Sequence, residues 1–481
     1  MTSFAIGLIA ILTQGCGEKT EIETVKPSEA SMTIPTPTEP SPFAPPTPVV
    51  SKLENGAQLW LLEEHELPVV VFSVVLSGGA SQDASDKWGV AELTNQMLLE
   101  GAGDRTASEI SSALYGLAVD VGVQTTHQHT VLQVSAHKDR LNEALAIVSD
   151  MIFAPAFTET DWNRVREQHL AGLEQSRQDA SWVASHYAPF FLYGAEHPLG
   201  RSVGGTPSTV KAIGLDDVRQ WHASRLKGAN TSMGVIAVGD IDAETIAGLV
   251  NTHFNQFPTV SREDISVPAV VDTAIPASAK TVLVDMPGAE QTSIRVLVPS
   301  YKPGDEREIA ADLAGIVMGG TFTSRLNAKL REEKGYTYGA SCSFSTGYYG
   351  SHLSVRTNVQ TKATTEAIAD LTAVLATAQS GFSADDHNKA VSAYRGDFIQ
   401  MAGSRKQLAS EMVDLFRLKD PATIWQTDLT TSQSVTPEQM QATAELFDAS
   451  RGVTVLVGDA KVVEPMLIEA GIGFEKVLIP E

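Results

Sequence analysis

A helical segment near the start of the chain carries three polar side chains at a spacing that suits metal chemistry. In GVAELTNQMLLEGAGDRT, residues 89–106, Glu92 and Gln96 are one helical turn apart and share a helix face, and Asn95 lies between them. Two imidazoles at this spacing could hold zinc, and a carboxylate between them could take a proton from bound water. Glu92 and Gln96 offer only carboxylate and amide groups, and Asn95 cannot act as a base. We therefore expect no metal in this chain and no peptide hydrolysis by the chain alone.

A second polar constellation lies in the C-terminal half, where GGTFTSRL (residues 319–326) is followed by LREEKGYTYG (residues 330–339). A guanidinium such as that of Arg331 can bind a peptide carbonyl, and a phenol such as that of Tyr338 can donate to an oxygen that gains negative charge. Each side chain also has a structural interpretation. An arginine near a helix end commonly pairs with the helix dipole, and a tyrosine that opens a strand commonly packs in the core.

The first segment resembles the zinc helix of the pitrilysin/insulinase family of metallopeptidases, which reads G-hydrophobic-A-H-x-x-E-H-M-L. In that frame, Glu92, Asn95 and Gln96 stand where the family has its two histidines and its catalytic glutamate. NRVREQHLAGLE, residues 163–174, is similar to the family helix that supplies the third zinc ligand, and Glu174 occupies the ligand position. The resemblance covers nearly all of the chain after the first fifty residues and implies a member without zinc.

The second segment resembles the C-terminal signature of the same family, in which an arginine and a tyrosine seven positions later contact the substrate held at zinc in the opposing domain or subunit. Arg331 and Tyr338 occupy those positions. The resemblance implies catalytic roles for both residues and substrate contacts for Gly319 and Gly320. Arg325 is expected to be structural and to anchor the glycine-rich turn.

Two repeats indicate that the chain contains two homologous domains. GVIAVGD, residues 234–240, recurs as TVLVGD at residues 454–459, and FTETDWNR at residues 157–164 recurs as FSADDHNK at residues 382–389. Repeats this far apart indicate two similar domains rather than a solenoid of short units. Runs of strand length alternate with helical patterns, so we expect an α+β fold in which each domain is a mixed, mostly antiparallel sheet with helices packed on one face.

The expected domain bounds follow from shifts in composition. The N-terminal domain, with the degenerate zinc motif, should span 51–265, and the C-terminal domain, with Arg331 and Tyr338, should span 266–481. Pro, Ser and Asp interrupt the apolar pattern between 257 and 280, which is typical of a linker.

The acidic composition limits the possible partners. The net charge is −23, from 35 basic and 58 acidic residues, which argues against nucleic acid or anionic lipid headgroups as ligands. The charge is compatible with basic peptides as ligands and also with a role in solubility alone.

A histidine pair offers a weak alternative metal site. His127 and His129 are two residues apart in THQHT, so on a strand both would point to the same side. No cysteine or carboxylate stands at ligand spacing beside them, and we expect no metal there.

The first fifty residues read as a leader and a tether. Residues 1–16, MTSFAIGLIAILTQGC, end in a Gly-Cys pair and resemble the signal peptide of a bacterial lipoprotein in which Cys16 receives the lipid. Residues 17–50 are rich in Pro, Ser and Thr, a composition that stays extended. Gly17 favours, by resemblance to Gram-negative sorting rules, the outer membrane facing the periplasm. Cys342, the other cysteine, would then have no disulfide partner.

Family members of this size work as pairs of two-domain subunits around a closed chamber, and in some pairs one subunit lacks zinc. The resemblance therefore implies the non-zinc subunit of a heterodimeric periplasmic metalloendopeptidase with peptide substrates. Its partner would be a homologous subunit that keeps H-x-x-E-H and holds the zinc, while this chain holds no cofactor. The alternative is a catalytically inert pseudopeptidase that serves as a scaffold or a peptide-binding protein. Retention of Arg331 and Tyr338 favours the first hypothesis.

Overall fold

The structure is a computed structural model that describes residues 42–227, 232–257 and 280–479. Within these ranges, two six-stranded sheets and the helices around them belong to one compact unit that begins at Ala44. No helix in the described ranges is long and apolar enough to cross a membrane.

The N-terminal half builds the first sheet. Its strands are β1 (Val49–Lys52), β2 (Gln58–Glu63), β3 (Val69–Leu76), the short pair β4 (Gly101–Ala102) and β5 (Arg105–Thr106), β6 (Asp120–Thr125), β7 (Thr130–His137) and β8 (Met233–Gly239). Its helices are α1 (Val90–Met97), α2 (Ala107–Gly116), α3 (Leu141–Phe153), α4 (Glu159–Ser176), α5 (Ala180–Tyr193), α6 (Pro207–Ala212), α7 (Leu215–Trp221) and α8 (Ala243–His253). The strand order is β1-β2-β8-β3-β7-β6, and only β2 and β8 pair in parallel among the described strands of this sheet.

The C-terminal half builds the second sheet. Its strands are β9 (Lys280–Asp285), β10 (Gln291–Pro299), β11 (Ala340–Ser345), β12 (His352–Gln360), β13 (Val453–Gly458) and β14 (Glu475–Val477). Its helices are α9 (Glu308–Gly315), α10 (Arg325–Asn327), α11 (Thr364–Ala376), α12 (Ala384–Ala402), α13 (Arg405–Leu418), α14 (Ile424–Ser434), α15 (Pro437–Gln441) and α16 (Ala460–Glu469). The order β11-β12-β10-β13-β9-β14 repeats that of the first sheet, with the outermost strand supplied by the end of the half instead of its start.

One face of each sheet forms the main core of its own domain. Side chains alternate between the two faces of a strand. In β3, Val70, Phe72 and Val74 are fully or almost fully buried on the face that packs against helices of the N-terminal half. In β10, Ile294 and Val296 do the same against helices of the C-terminal half. Each half therefore has its own apolar core.

The opposite face of each sheet is covered by a helix from the other half of the chain. Helix α5 of the N-terminal half packs on the second sheet, where Val183 and Tyr187 join the buried valines of β9 and β13. Helix α13 of the C-terminal half packs on the first sheet through Met412 and Phe416. Because both faces are buried, the central strands are almost continuously apolar, as VVVFSVVL in β3 is.

The structure confirms the predicted α+β class and the two homologous domains, and it adds the exchanged helix on the second face of each sheet. The FTETDWNR and FSADDHNK repeats both begin helices, since the Thr158 and Ser383 hydroxyls each accept a hydrogen bond of 3.1 Å from the amide three residues on. Strand β1 begins at Val49, close to the predicted domain start. The predicted boundary at 265 and the lipidation site Cys16 lie outside the described residues.

Phe416 should be critical to the attachment of α13 to the first sheet. A Cβ added at Gly234 in β8 would lie 2.4 Å from the Phe416 ring, so the ring fills the space left by that glycine. Phe416→Ala should lower the free energy of unfolding by about 3–5 kcal/mol because it leaves a cavity. Gly234→Val should also destabilise, because the ring would have to move. Urea unfolding followed by circular dichroism measures both effects.

Gly248→Ala is the matched control for the glycine change. Gly248 lies in α8 with no atom within 4 Å of an added Cβ, so alanine should be stabilising there by about 0.5–1 kcal/mol. If Phe416→Ala kept the wild-type free energy of unfolding, the packing of α13 on the first sheet would not be important for stability.

Candidate functional site

Helix α1 is held at its N-terminus by Asp83. The carboxylate accepts hydrogen bonds from the backbone N–H of Gly89 (2.9 Å) and Ala91 (3.3 Å) and from the indole N–H of Trp221 in α7 (3.1 Å). Burial raises the pKa of Asp83 to about 7, while the hydrogen bonds from Gly89 and Ala91 lower it. These contacts fix the start of α1 and therefore the directions of its side chains.

Glu92 and Gln96 are bonded to each other and to α4. The Gln96 Nε2 atom lies 2.8 Å from Glu92 Oε1 and 3.2 Å from His169 Nδ1. The Nε2 atom of His169 lies 2.8 Å from the carbonyl oxygen of Gly204. With its proton on Nε2, His169 donates to Gly204 and accepts from the Gln96 amide. The three side chains then form one hydrogen-bonded chain from α1 to the loop before α6.

Asn95 is 2% exposed and ties α1 to the hairpin of β6 and β7. Its Nδ2 atom donates to the hydroxyls of Thr125 (2.7 Å) and Thr130 (2.8 Å), and the Thr130 hydroxyl donates to the carbonyl of Gly78 (2.8 Å). The position that carries the proton-accepting glutamate in the zinc motif is therefore a structural hydrogen-bond donor in this chain.

The residues around α1 do not fit a zinc ion. The Glu92 carboxylate accepts from the Gln96 amide, and the described residues contain no group of three His, Cys, Asp or Glu side chains able to hold a metal. Glu174, expected at the third ligand position, is exposed on α4. The α4 side chain that reaches Gln96 is His169.

His169 was missed by the motif comparison but could have been found from helix periodicity. The buried residues of α4 are Trp162, Val165 and Leu173, spaced by three and eight positions. His169 falls on this stripe, four residues after Val165, whereas Glu174 falls outside it. The apolar spacing therefore selects which polar residue faces α1, and the distance from the zinc motif does not.

His127 and His129 lie in the turn between β6 and β7 and not on a strand, so the premise of a shared strand face was wrong. The His127 Nε2 atom lies 3.0 Å from the carbonyl oxygen of Arg201. Burial lowers the pKa of His127, against the effect of that hydrogen bond. The half-buried imidazole is thus part of the turn packing.

The glycine-rich turn of the C-terminal half packs tightly on β11. Helix α9 continues into a wide helical turn, Ile316–Gly320. A Cβ at the buried Gly319 would lie 2.3 Å from the Cβ of Cys342, so glycine is required by packing there. Gly320 is exposed. The predicted substrate contacts of Gly319 and Gly320 remain predictions.

Arg325 connects the same turn to the start of α12, as expected for a structural residue. Its guanidinium forms an ion pair with Asp386 at 3.0 Å and donates to the carbonyl of Gly381 at 3.1 Å. The guanidinium carbon also lies 4.8 Å from the centre of the Phe382 ring.

Arg331 and Tyr338 lie near each other in sequence but differ in surroundings. The Arg331 guanidinium carbon lies 3.7 Å from the centre of the Phe322 ring, which is 66% exposed. Tyr338, just before β11, is 93% exposed. The Nη1 atom of Arg331 has no hydrogen-bond partner in the described part of the chain. That Nη1 atom is buried and the Arg331 side chain is 30% exposed, so Tyr338 is fully available to a ligand at the surface and Arg331 only in part.

Comparison with known proteins assigns both halves to one family. Residues 60–194 match the model of the insulinase family, peptidase family M16, and residues 212–394 match the model of the peptidase M16 inactive domain. The chain therefore belongs to the insulinase-like M16 family, as its motifs predicted.

Relatives with contrasting names match the chain at similar identity. It is 25% identical over 304 residues to a Helicobacter pylori protein named non-peptidase homolog YmxG, a match that covers 61% of this chain and 68% of the relative. It is 22% identical over 307 residues to an uncharacterized zinc protease of Rickettsia bellii, covering 63% of this chain and 71% of the relative. Membership of the family therefore does not by itself decide whether a chain is a peptidase.

Solved structures support the fold. A peptidase M16 inactive domain from Pseudomonas fluorescens superposes with a TM-score of 0.77 at 22% identity, covering 86% of this chain and 98% of that one. The first half of the periplasmic protease PqqL from Escherichia coli superposes with a TM-score of 0.70 at 19% identity, covering 89% and 96%. Similarity at this level of identity establishes the two-sheet architecture.

The geometry around α1 predicts how zinc binding could be restored. The wild-type chain should retain zinc far below one equivalent after dialysis. The double change Glu92→His with Gln96→His should create a zinc site, because His169 Nδ1 already lies within 3.2 Å of the side-chain nitrogen at position 96 and would complete a set of three imidazoles. Elemental analysis after dialysis measures the bound zinc.

Adding His169→Ala to that double change tests the geometry. Bound zinc should fall again because only two ligands remain. Adding Glu174→Ala instead should leave the zinc content unchanged. Stoichiometric zinc in the dialysed wild-type chain would contradict the interpretation.

Proposed function

We propose that this chain is the zinc-lacking subunit of a two-chain M16 metalloendopeptidase and contributes Arg331 and Tyr338 to a peptide held at the zinc of a homologous partner. The observation that carries the proposal is the exposure of Tyr338. Tyr338 is 93% exposed, and the nearby Arg331, which is 30% exposed, stacks on Phe322, which is 66% exposed. A tyrosine this exposed buries too little area to contribute much to folding, so a contact with a ligand accounts for it better.

The chemistry of the pair suits peptide hydrolysis in a partner. An exposed phenol can donate a hydrogen bond to the oxygen that becomes negative in the tetrahedral intermediate. The Arg331 side chain is 30% exposed and its Nε atom lies 3.6 Å from Glu332 Oε1, and the exposed part of a guanidinium can bind a peptide carbonyl or carboxylate. Because Glu92 and Gln96 are hydrogen-bonded to each other, we assign the metal to another chain.

The sheet edges suit an extended peptide. Strands β6 and β11 lie at the ends of the two sheets as described, and an edge strand can pair with a peptide through its backbone groups. β6 alternates exposed and half-buried residues and ends beside Asn95. A peptide added there would run past α1.

A second candidate function is an inert scaffold or peptide-binding protein. The hydrogen-bond network of Glu92, Gln96 and His169 favours it, because this network would stabilise the fold without any catalytic need. The Helicobacter pylori relative named a non-peptidase homolog agrees with such a role. The exposure of Tyr338 is the feature this candidate leaves unexplained.

Substitutions in the purified complex separate the two candidates. The chain, tagged and isolated from its own bacterium with any co-purifying H-x-x-E-H subunit, is reconstituted with that subunit and assayed on unstructured peptides. Tyr338→Phe should lower turnover by about 10²-fold, as loss of one oxyanion donor does. Arg331→Ala should weaken peptide binding and turnover together because it removes a forked donor.

Tyr115→Phe is the matched control, since Tyr115 on α2 is 88% exposed and outside the signature. It should leave turnover unchanged, and all variants should assemble normally. Full activity with both Arg331 and Tyr338 replaced would favour the scaffold.

We further propose that this protein is an outer-membrane lipoprotein that faces the periplasm and is anchored through Cys16. The wild-type protein should then fractionate with outer membranes, and Cys16→Ser should release it or leave its leader uncleaved. Cys342→Ser is the control, since that thiol is buried in the second core, and it should not change the fractionation. A wholly soluble periplasmic wild-type protein would refute the anchor.

A further inference from the structure

An open cleft lies between α5 and the second sheet, next to the signature segment. Its volume is about 580 Å³. Gly339 and Ala340, the two residues that follow Tyr338, form part of its wall. The polar side chains that line it come from α5, β10, β11 and β12, and they include Ser181, Ser185, Arg295, Ser341, Arg356 and Asn358.

Two arginines face each other directly in this cleft. Arg295 in β10 and Arg356 in β12 are paired residues of adjacent antiparallel strands, so their side chains lie on the same face of the sheet. Like charges in this position repel each other and destabilise the sheet. Neither arginine forms an ion pair with a carboxylate among the described residues. The fold therefore carries an uncompensated pair of positive charges.

Arg295 is 6% exposed and is satisfied only by neutral acceptors. Its guanidinium donates to the hydroxyls of Ser185 (3.0 Å), Ser293 (3.1 Å) and Ser181 (3.0 Å) and to backbone carbonyls. Burial and, to a smaller extent, the charge of Arg356 lower the pKa of Arg295 to about 10, against the opposing effect of the charge of Asp179. The guanidinium is thus fixed in place, with its charge not neutralised.

Arg356 is the accessible member of the pair. It is exposed, and its Nε donates to the Ser341 hydroxyl at 2.7 Å. Its two terminal nitrogens make no hydrogen bond in the described part of the chain. Since the Ser341 oxygen accepts from Arg356, its own O–H is directed elsewhere and can donate to a ligand. A fork of guanidinium N–H groups beside a hydroxyl matches the geometry of a carboxylate.

The N-terminal sheet shows that the fold does not need charge at these positions. With the shared glycine that ends β8 and β13 as reference, Arg295 corresponds to Ser73 and Arg356 to Gln133, which are paired in the same way. Gln133 Nε2 donates to the Ser73 hydroxyl at 3.3 Å. The neutral pair is joined by its own hydrogen bond, whereas the charged pair of the second sheet has no counter-charge of its own among the described ion pairs.

We propose that the cleft between α5 and the second sheet binds a carboxylate of the peptide ligand, through Arg356 and Ser341 with Arg295 behind them. Ser341 lies in the edge strand β11 and is paired with Arg356, so a peptide strand added to that edge would place an acidic side chain or its C-terminal carboxylate beside them. The assignment of the ligand as a peptide rests on the proposed function. It adds a preference for acidic peptides at this position.

Binding to the purified chain alone tests the site. The probe is a dye-labelled peptide of six Val and Thr residues, amidated at its C-terminus, in which one central Thr is replaced by Glu. Its affinity is measured by fluorescence anisotropy and compared with that of the same peptide carrying Gln in place of Glu. The Gln peptide with a free C-terminal carboxylate and inorganic phosphate as competitor complete the set. The Glu peptide should bind at least about tenfold more tightly than the amidated Gln peptide, and salt should reduce the difference.

Three variants locate the effect. Arg356→Gln should abolish the preference for Glu, and it should fold because the residue is exposed. Asn358→Asp should also abolish the preference, while raising the melting temperature, because it supplies the missing counter-charge inside the cleft. Arg140→Gln, an exposed arginine of the N-terminal half, is the control and should keep the preference.

The proposal fails if the Glu and Gln peptides bind equally, or if the preference survives in Arg356→Gln. If phosphate binds but neither the Glu peptide nor the Gln peptide with a free C-terminal carboxylate does, the site would be assigned to a free oxyanion. That result would overturn the peptide ligand. Because no partner subunit is present, failure of the two-subunit hypothesis would not change these results.

Discussion

The structure depends on the burial of a second apolar face on each sheet. A sheet that is apolar on both faces must be covered twice, and each half of this chain supplies enough helix for one face of its own sheet. Helix α5 covers the sheet of the C-terminal half and α13 covers the sheet of the N-terminal half. The halves therefore cannot separate without exposing both faces to water, at a cost of roughly 25 cal/mol per Å² of apolar surface. The exchange also forms the cleft beside Arg295, since one wall of the cleft is α5.

Helix α1, which resembles the zinc helix of the family, is held in place by hydrogen bonds. Asp83 caps the start of the helix, Asn95 joins it to the β6–β7 hairpin, and Gln96 connects it to His169 on α4. All three contacts position the helix where the family positions its zinc ligands. Glu92, Gln96 and His169 satisfy one another, which avoids the cost of buried polar groups without partners. The buried Oδ1 atom of Asn95, by contrast, has no hydrogen-bond partner in the described part of the chain.

The sequence predicted most of the fold because its signals are local. The repeated V-G-D strand ends and the paired helix starts at Thr158 and Ser383 depend on residues close together in the chain, and they identified the duplication and the α+β class. The sequence patterns predicted helices on one face of each sheet, and no local feature says which helix covers the second face. That choice depends on contacts between residues far apart in sequence, which local patterns do not reveal.

The candidate site was predictable to the same extent. Loss of the zinc ligands and the arginine–tyrosine pair could be read from motifs, whereas the role of His169 required the helix face and not the distance along the chain. The arginine pair of the second sheet needed the strand register, since Arg295 and Arg356 are 61 positions apart in the sequence and meet only through pairing. The duplication allows this pair to be compared with its equivalent in the first sheet. Ser73 and Gln133 occupy the same positions without charge, so the fold itself does not need the two arginines.

The local charge of the cleft also qualifies what the overall charge implies. A net charge of −23 favours basic ligands at long range, but in salt of physiological strength such fields decay over about 8 Å. Within the cleft, the nearest charges are two arginines whose carboxylate partners are absent from the described chain. A ligand that approaches the surface is thus selected by the overall field, whereas the part of it that enters the cleft is selected by Arg295 and Arg356. A peptide with a basic stretch and one acidic group would satisfy both conditions.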